Sequence, residues 1–236
     1  MAAATSLVSL GRRLPPQNVF ACGAVLFAIV SMAHIVGAKT GMPFGKFEGT
    51  EQLGPRLLKL MVWPVPFLWL AVLLSCRGIA KLVLRPYRRN KRYGWLLILI
   101  ASVLALCTAL AVEPFAVLSR GWWRWELDPK NFALWGVPWT DYAGWWAISW
   151  LALAFATPWL IQKRPVQQAT DAYPLVVWIS MLAVYVAGNI RQGLWGSVGI
   201  VTVVAVVATV FSIRGMKAPT TQASTRPDVT TGAVSP

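Results

Sequence analysis

The feature that most constrains the fold is a series of about six apolar stretches, each close to the length of a membrane-crossing helix. An α-helix needs about 20 mostly apolar residues to cross the roughly 30 Å hydrocarbon core of a bilayer. The chain is 57% hydrophobic and only 13% charged, unlike a soluble domain. The sequence therefore predicts an all-α polytopic membrane helix bundle with about six transmembrane helices. The predicted spans are Val19–Ala38, Leu57–Cys76 with a kink at Pro64 and Pro66, Tyr93–Val112, Gly144–Ile161, Tyr173–Gly188 and Leu194–Ile213.

The net charge of +14 is distributed as membrane topology requires. With six spans and a cytoplasmic N-terminus, the inner side holds fourteen basic and two acidic residues, and the outer side holds eight basic and six acidic residues. An excess of basic residues in cytoplasmic loops is the positive-inside pattern. We therefore expect an integral protein of the bacterial cytoplasmic (inner) membrane with both termini in the cytoplasm, and no nucleic-acid partner.

Composition also divides the chain into a membrane domain and a tail. Residues 1–213 are predicted to form one transmembrane helical domain, because the apolar stretch after Arg12 and Arg13 is longer than the apolar core of a signal peptide. Residues 214–236 are rich in Thr, Pro and Ser and are predicted to be a disordered cytoplasmic tail. Three cysteines, Cys22, Cys76 and Cys107, lie in apolar stretches without CxxC spacing and are predicted to pack in the core.

Two loops on the predicted outer side are richer in information than the rest. The first, Lys39–Arg56, contains four glycines and two prolines, which favours tight turns. The second, Glu113–Tyr142, contains many tryptophans and is too long and too apolar for a solvated connector. We predict that it folds back on the bundle as a re-entrant or interfacial segment, so that both loops face the same end of the bundle.

Acidic residues in the second loop raise the question of a reactive site. Glu113 directly follows an apolar span, where a carboxylate is costly; it either marks the helix end or acts as a general acid, because an apolar environment favours the protonated form of a carboxyl. Asp141 precedes the next span and is either the helix N-cap or a second carboxyl of the same site. Glu126 and Asp128 are predicted to lie in a solvated turn.

Seven of the fourteen tryptophans lie between Gly121 and Trp146, and two interpretations of them stay open. They form an aromatic belt at headgroup depth, or several of them line a cavity for a long apolar ligand, where indole faces also stabilise cations.

Two polar residues outside these loops also need a role. The only histidine, His34, lies near the outer end of the first span; it is either packed in the core or takes part in proton transfer. Arg191 is predicted to extend to the membrane surface or to pair with one of the acids. No metal-ligand set, phosphate loop or nucleotide motif is present in the sequence, so we expect no metal and no cofactor.

Four motifs in and beside the two loops carry a family resemblance. In the first half of the chain these are GMPFGKFEGTEQLGP, Gly41–Pro55, and VPFLW, Val65–Trp69; in the second half they are EPFAVLSRGWWRW, Glu113–Trp125, and WGVPWTDYAGWW, Trp135–Trp146. They resemble elements of the membrane carotenoid biosynthesis family that includes gamma-carotene 1'-hydroxylase and bisanhydrobacterioruberin hydratase: G-x-PFG-x-Y-x-Y-T-x-x-LGP with a segment similar to VPFLW after it, a DP segment followed by W-x-W, and YGVP-x-x-N-x-x-GW. The chain departs from the family pattern at four positions: Phe47 and Gly49 stand at tyrosines, Glu113 at an aspartate and Asp141 at an asparagine.

The resemblance implies a cofactor-independent carotenoid hydratase, which adds water across the terminal C=C of an acyclic carotenoid end. Glu113 would then donate the proton, and Asp141 would position the water or take the proton back from it. His34 is a third candidate catalytic residue, for proton transfer or polar positioning. The implied partners are the carotenoid, the lipid bilayer and, as candidates, other carotenoid biosynthesis enzymes. The residues expected to bind the substrate are Phe44, Phe47, Trp123, Trp125, Trp135, Trp139 and Trp145.

Two alternatives to a hydratase remain at this point. A carotenoid cyclase or isomerase would also begin by protonating the acyclic end, with an internal alkene capturing the cation. A non-catalytic carotenoid-binding membrane subunit would hold pigment for a partner. A transporter is disfavoured because the spans carry few ionisable groups.

Overall fold

The computed structural model describes residues 1–54, 56–57, 61–127, 132–161 and 170–218, and this part of the chain is an all-α bundle with short strands at one end. The predicted tail falls mostly outside the described residues, because α7 continues to Lys217 and the description ends at Ala218. The helices are α1 Ala2–Gly11, α2 Pro16–Thr40, α3 Val65–Val83, α4 Tyr93–Pro114, α5 Trp139–Leu160, α6 Tyr173–Arg191 and α7 Trp195–Lys217. The strands are β1 Phe47–Gly49, β2 Arg56–Leu57, β3 Met61–Val62, β4 Trp123–Trp125, β5 Ala133–Leu134 and β6 Val137–Pro138.

Five of the described helices, α2, α3, α4, α6 and α7, are long and apolar enough to cross a membrane, which confirms the polytopic bundle. Helix α5 has 22 residues and the required length. It is not among those five. Helix α1, with ten residues, is too short to cross and was not predicted from the sequence.

The predicted span Leu57–Cys76 was misplaced along the chain. Helix α3 begins at Val65 and continues to Val83, and Pro64 occupies its N-cap position. Proline is favoured at the start of a helix, where no intrahelical partner exists for the missing N–H. Pro64 and Pro66 therefore begin α3 instead of kinking a longer helix, and the residues before them pair as the β2–β3 hairpin.

Helix α3 is the centre of the bundle. It packs against α1, α2, α4, α6 and α7, while α5 lies against α2 and α4. Of the membrane-crossing stretch of α3, 78% is buried, against 22% for α7. Large apolar side chains on the peripheral helices, such as Phe20, Val176 and Phe211, are exposed, as expected of a surface in contact with lipid. Cys22 and Cys76 are fully buried in the core, as predicted, and Cys107 is partly buried.

The two ends of this up-and-down bundle differ in chemistry. We call the end that carries β1, β4 and the first turns of α3 and α5 the aromatic end. We call the other end, which carries α1, the last turns of α3 and the start of α6, the basic end. At both ends, hydrogen bonds from side chains to backbone carbonyl groups connect elements of the bundle. Asn189 Nδ2 donates to Ala111 O (3.0 Å) at the aromatic end, and Arg85 Nη1 donates to Met216 O (3.0 Å) at the basic end.

Candidate functional site

The two sequence-predicted loops meet at the aromatic end through a two-stranded antiparallel sheet. Strand β1 of the first loop pairs with β4 of the second, with Phe47 opposite Trp125 and Gly49 opposite Trp123. The rings of Phe47 and Trp125 lie 5.2 Å apart, which is within contact range for aromatic side chains. The second loop therefore folds back on the end of the bundle, as predicted, and its described part contains short strands and a π-helical turn, Phe115–Ser119.

Phe44 anchors the first loop in the helix bundle. Its side chain is 1% exposed and lies between two helical glycines. A Cβ atom at Gly37 of α2 would be 3.0 Å from the Phe44 ring, and one at Gly144 of α5 would be 2.7 Å from it. Only glycine leaves room for this ring between α2 and α5. Thr140 Oγ1 also donates a hydrogen bond to Phe44 O (3.2 Å), which ties the loop to the start of α5.

Glu113 lies at the centre of the aromatic end, in the last turn of α4, and is 3% exposed. Its two carboxyl oxygens accept hydrogen bonds from two indole groups: Trp123 Nε1 donates to Oε2 (3.0 Å) and Trp145 Nε1 donates to Oε1 (2.9 Å). It forms no salt bridge with any described residue. The carboxyl is therefore held in place by two neutral donors, one from β4 and one from α5.

A stack of rings extends from Trp145 to His34. Trp145 stacks on Trp69 of α3, with ring centroids 3.9 Å apart and planes at 14°. The edge of Trp69 meets His34, which in turn stacks on Phe44 with centroids 4.7 Å apart. The predicted proton donor, Glu113, is thus connected through two indole rings to the histidine that the sequence singled out.

Asp141 is the second carboxyl of this cluster and is not a helix cap. Pro138 is the N-cap residue of α5 and Asp141 lies in the first turn of the helix, so the expectation that Asp141 caps it was wrong. The residue is 2% exposed and lies close enough to Glu113 for the two carboxyl groups to interact electrostatically. An acidic group in a first helical turn is favoured by the helix dipole, which helps α5 to carry a buried acid.

Three polar atoms around the cluster are buried and have no hydrogen-bond partner among the described residues. They are His34 Nε2, Trp125 Nε1 and Asp141 Oδ2. Buried polar atoms in folded proteins are nearly always paired, with protein or with water. These atoms are therefore candidates for binding water or another small polar molecule.

The remaining residues predicted to bind substrate lie further out. Trp139 is 51% exposed. Trp135 has a left-handed backbone, with φ of 52°, in the two-residue turn of the β5–β6 hairpin, and its ring packs on Gly196 of α7. The structure therefore brings Phe44, Phe47, Trp123, Trp125 and Trp145 around the acidic pair and His34. It places Trp139 at the surface, and Trp135 docks the hairpin on α7.

Two acidic residues and Arg191 stand apart from the cluster. Glu126 is exposed and forms a salt bridge with Lys46 (3.9 Å), as expected of a solvated turn; Asp128 lies outside the described residues. Arg191 is exposed at the end of α6.

Sequence reasoning missed Trp69 as a site residue. Its ring is 1% exposed and contacts Trp145, His34 and Phe44. The signal was the VPFLW motif at Val65–Trp69, whose helical register could not be assigned until the start of α3 was known.

Known proteins resemble this chain in sequence. The family model described as carotenoid biosynthesis protein matches residues 1–208. A curated relative, bisanhydrobacterioruberin hydratase from Haloarcula japonica, is 31% identical over 128 residues, which are 52% of this chain and 40% of the relative. The match therefore spans less than half of that relative's length. No solved structure matches the chain.

Proposed function

Since the chain belongs to the carotenoid biosynthesis protein family, we propose that it is a membrane carotenoid hydratase, which adds water to the terminal C=C of an acyclic carotenoid end by acid catalysis. The observation that carries the proposal is the buried carboxyl of Glu113, held by two indole N–H groups beside Asp141 and a wall of stacked aromatic rings. The name of the relative from Haloarcula japonica, a hydratase, supports the proposal.

Hydration of an isolated alkene needs a strong proton donor and a stabilised cation. In the proposed reaction Glu113 gives its proton to the alkene carbon that carries more hydrogens, and a tertiary carbocation forms at the other carbon. Indole faces attract cations, and the stacked pair Trp69 and Trp145 lies directly beside Glu113. The aromatic wall would lower the energy of the cation and of the transition state that leads to it.

Water capture completes the reaction. A water oxygen bonds to the cation, and the proton that it loses passes to Asp141 and then back to Glu113, so that the net change is the addition of one water. Two neighbouring carboxyl groups that share one proton supply an acid and an acceptor from the same pair. His34 Nε2 and Asp141 Oδ2, both buried and without a partner among the described residues, are the atoms that we assign to holding the water. Hydration requires no redox cofactor.

The primary test is expression in a bacterium that accumulates lycopene, grown in oxygen-18 water, with pigments analysed by liquid chromatography and mass spectrometry. We expect a product heavier than lycopene by one or two molecules of water and labelled with oxygen-18. A product of unchanged mass and altered retention would replace hydration by cyclisation or isomerisation. Unchanged lycopene, with pigment retained by the purified protein, would favour a carotenoid-binding subunit.

Asp141→Asn separates the two roles that we assign to this residue. An asparagine holds a water by hydrogen bonds but cannot take a proton from it. If Asp141 only positions water, labelled product should still form in the variant; if it accepts the proton, product formation should fall by the 10²–10⁴-fold typical of a lost general base.

A second variant, His34→Phe, keeps an aromatic ring stacked on Phe44 and removes Nε2. Loss of turnover with normal expression would assign His34 Nε2 a role in the reaction.

We also propose that the protein lies in the bacterial inner membrane with its basic end toward the cytoplasm. The support is the charge distribution, since basic residues cluster in cytoplasmic loops and Arg85–Arg92 carries five of them. A reporter that works only in the cytoplasm should be active when fused after Pro236, and a reporter that works only in the periplasm should be inactive at the same position. Periplasmic activity would reverse the orientation without affecting the proposed chemistry.

A further inference from the structure

The basic end, opposite the end that holds Glu113, contains a cavity of about 150 Å³ that is lined by many polar side chains. The cavity lies between α1, the last turns of α3 and the start of α6. Asp171 is the one acidic residue among the described residues that line it. Its cationic lining residues are Arg13, Arg77, Lys81, Arg85 and Arg88.

Four of these cations form a stripe along one face of α3 and the turn that follows it. Arg77, Lys81 and Arg85 are spaced by four residues, and Arg88 follows three residues later. Residues four apart lie side by side on a helix, and like charges at this spacing destabilise it. The helix dipole favours Lys81 in the last turn of α3, but helix stability does not explain the buried Arg77. Topology does not explain the stripe, because a positive-inside signal requires basic residues near the membrane but not their convergence on one cavity.

Arg77 is the most deeply buried of these cations, with 7% of its surface exposed. Its Nη2 donates to the carbonyl oxygen of Leu160 (3.2 Å), and its Nε has no hydrogen-bond partner among the described residues. A buried charge is costly unless it is paired, and a carbonyl oxygen carries no full charge. A guanidinium group presents five N–H donors in a planar fork, so Arg77 retains donors for an anion.

Asp171 is already engaged and cannot neutralise the stripe. It accepts hydrogen bonds from Ser9 Oγ and from the backbone N–H of Tyr173, and its Oδ2 lies 3.8 Å from Arg13 Nε. Tyr173 is also the first residue of α6, so the positive end of that helix dipole points at the same region. The lining therefore keeps a large positive excess.

We propose that this cavity binds a phosphate group, carried by an anionic phospholipid headgroup or present as free phosphate. Arginine and lysine together are the usual ligands of phosphate, and basic pockets between membrane helices bind lipid headgroups. The volume suits a headgroup phosphate rather than an entire lipid, whose chains would lie along the outside of the bundle. This proposal is independent of the reaction proposed for the aromatic end.

The test is ligand-dependent melting of the full-length, delipidated protein in neutral detergent. A ligand that binds the folded state raises the melting temperature according to its concentration and Kd. The probes are dioleoyl phosphatidylglycerol, dioleoyl phosphatidylcholine as the zwitterionic control, and inorganic phosphate. The variants are Lys81→Gln with Arg88→Gln and, separately, Arg77→Gln. Lys217→Gln is the matched control, because Lys217 is an exposed cation at the same end of the bundle and does not line the cavity.

We expect phosphatidylglycerol to stabilise the wild-type protein and the Lys217→Gln control equally, with at least a tenfold weaker affinity in the Lys81→Gln, Arg88→Gln double variant. Stabilisation by inorganic phosphate that is lost in the same double variant would identify free phosphate as a ligand. Equal effects of phosphatidylglycerol and phosphatidylcholine, together with no stabilisation by inorganic phosphate, would overturn the proposal, as would an unchanged affinity in the double variant for whichever ligand stabilises the wild-type protein. If Arg77→Gln fails to fold, the double variant, whose two side chains are less buried, still decides the question.

Discussion

The aromatic end buries two carboxyl groups among neutral indole rings, whereas the basic end gathers cations around a cavity that contains one engaged acid. Both arrangements place charge-bearing groups where burial is costly. The difference lies in their partners. Both carboxyl oxygens of Glu113 accept hydrogen bonds from the protein, while Arg77 Nη2 donates to a carbonyl oxygen and Arg77 Nε has no hydrogen-bond partner among the described residues.

The two proposed sites differ in role: the aromatic end is proposed for chemistry and the basic end for binding. A cation beside Glu113 would hold it as a carboxylate, which cannot donate a proton, and the hydrogen-bond partners of Glu113 described above are both neutral N–H donors. At the basic end the Nε of the buried Arg77, unpaired among the described residues, supports the proposed anion from outside the chain. One bundle therefore combines a proposed acid catalyst and a proposed anion site at opposite ends, and we expect that either can be removed without changing the other.

Glu113→Gln is the change with the largest expected effect. Glutamine keeps an acceptor for one indole N–H but has no acidic proton, so we expect turnover of an acyclic carotenoid to fall by at least the 10²–10⁴-fold typical of a lost general acid. Pigment binding and expression should remain largely intact. Product yield in the lycopene-accumulating strain measures the loss, and Glu126→Gln, an exposed acid on the same loop, is the control. Full activity in Glu113→Gln would remove this residue from the mechanism.

A methyl group added to a helical glycine would contact different atoms at the two ends of the bundle. A Cβ at Gly215 of α7 would overlap the backbone carbonyl oxygen of Leu82 at the basic end, while a Cβ at Gly144 would press on the Phe44 ring (2.7 Å) at the aromatic end. Overpacking costs about 1–3 kcal/mol, and a backbone atom yields less than a ring. We expect Gly215→Ala to lower the melting temperature more than Gly144→Ala.

Gly199→Ala is the control for both glycine variants, because it lies on α7 with nothing within 4 Å of the added Cβ. It should not lower the melting temperature. Equal melting of Gly144→Ala and Gly199→Ala would mean that the Phe44 ring moves freely and that the first loop is not anchored as described.

Trp145→Phe tests the hydrogen bonds that hold the acid. Phenylalanine retains an aromatic ring for Trp69 but removes the Nε1 donor to Glu113 (2.9 Å). Loss of a donor to a buried carboxyl costs about 1–3 kcal/mol, which thermal melting in detergent should detect. Trp146→Phe changes the adjacent, 42% exposed tryptophan and should have little effect. Equal stability of the two variants would show that Trp145 contributes by packing alone.

The smallest effect is expected at the surface of the aromatic end. The Lys46–Glu126 salt bridge joins two side chains that are each more than two thirds exposed, and exposed pairs contribute about 0.2–1 kcal/mol at most. Glu126→Gln should therefore melt within experimental error of the wild-type protein at physiological salt. A clear loss of stability would mean that this pair fixes the β1–β4 contact and is more than a solvated turn.

Much of the fold could be predicted because bilayer physics acts on local composition. The stretches around α2, α4, α6 and α7 were placed correctly, since about 20 apolar residues have few alternatives to a membrane helix. The start of α3 was misplaced, because the apolar residues before Pro64 also satisfy a hydropathy criterion although they form a hairpin. Helix α1 was missed, because ten residues, although mostly apolar, are too few to give the signal of a membrane-crossing helix.

The site shows the same division. Composition and order singled out Glu113, Asp141 and His34, because ionisable residues beside apolar spans are few. The arrangement of these residues could not be predicted from the sequence. The neighbouring residues in the chain do not indicate that Asp141 lies inside the first turn of α5 or that Trp69 stacks on Trp145.

By itself, then, the sequence determined the class of the protein, the positions of α2, α4, α6 and α7 within a few residues and the two loops that share one end, because hydropathy and motif order are local properties. Tertiary structure alone decided which partners Glu113 has and that cations of α3 converge on a cavity with α1 and α6. The physical reason is sequence separation. Trp145 lies 32 residues beyond Glu113, and Phe47 pairs with Trp125 across the whole of α3 and α4, so these contacts depend on how helices pack and not on the residues beside them in the chain.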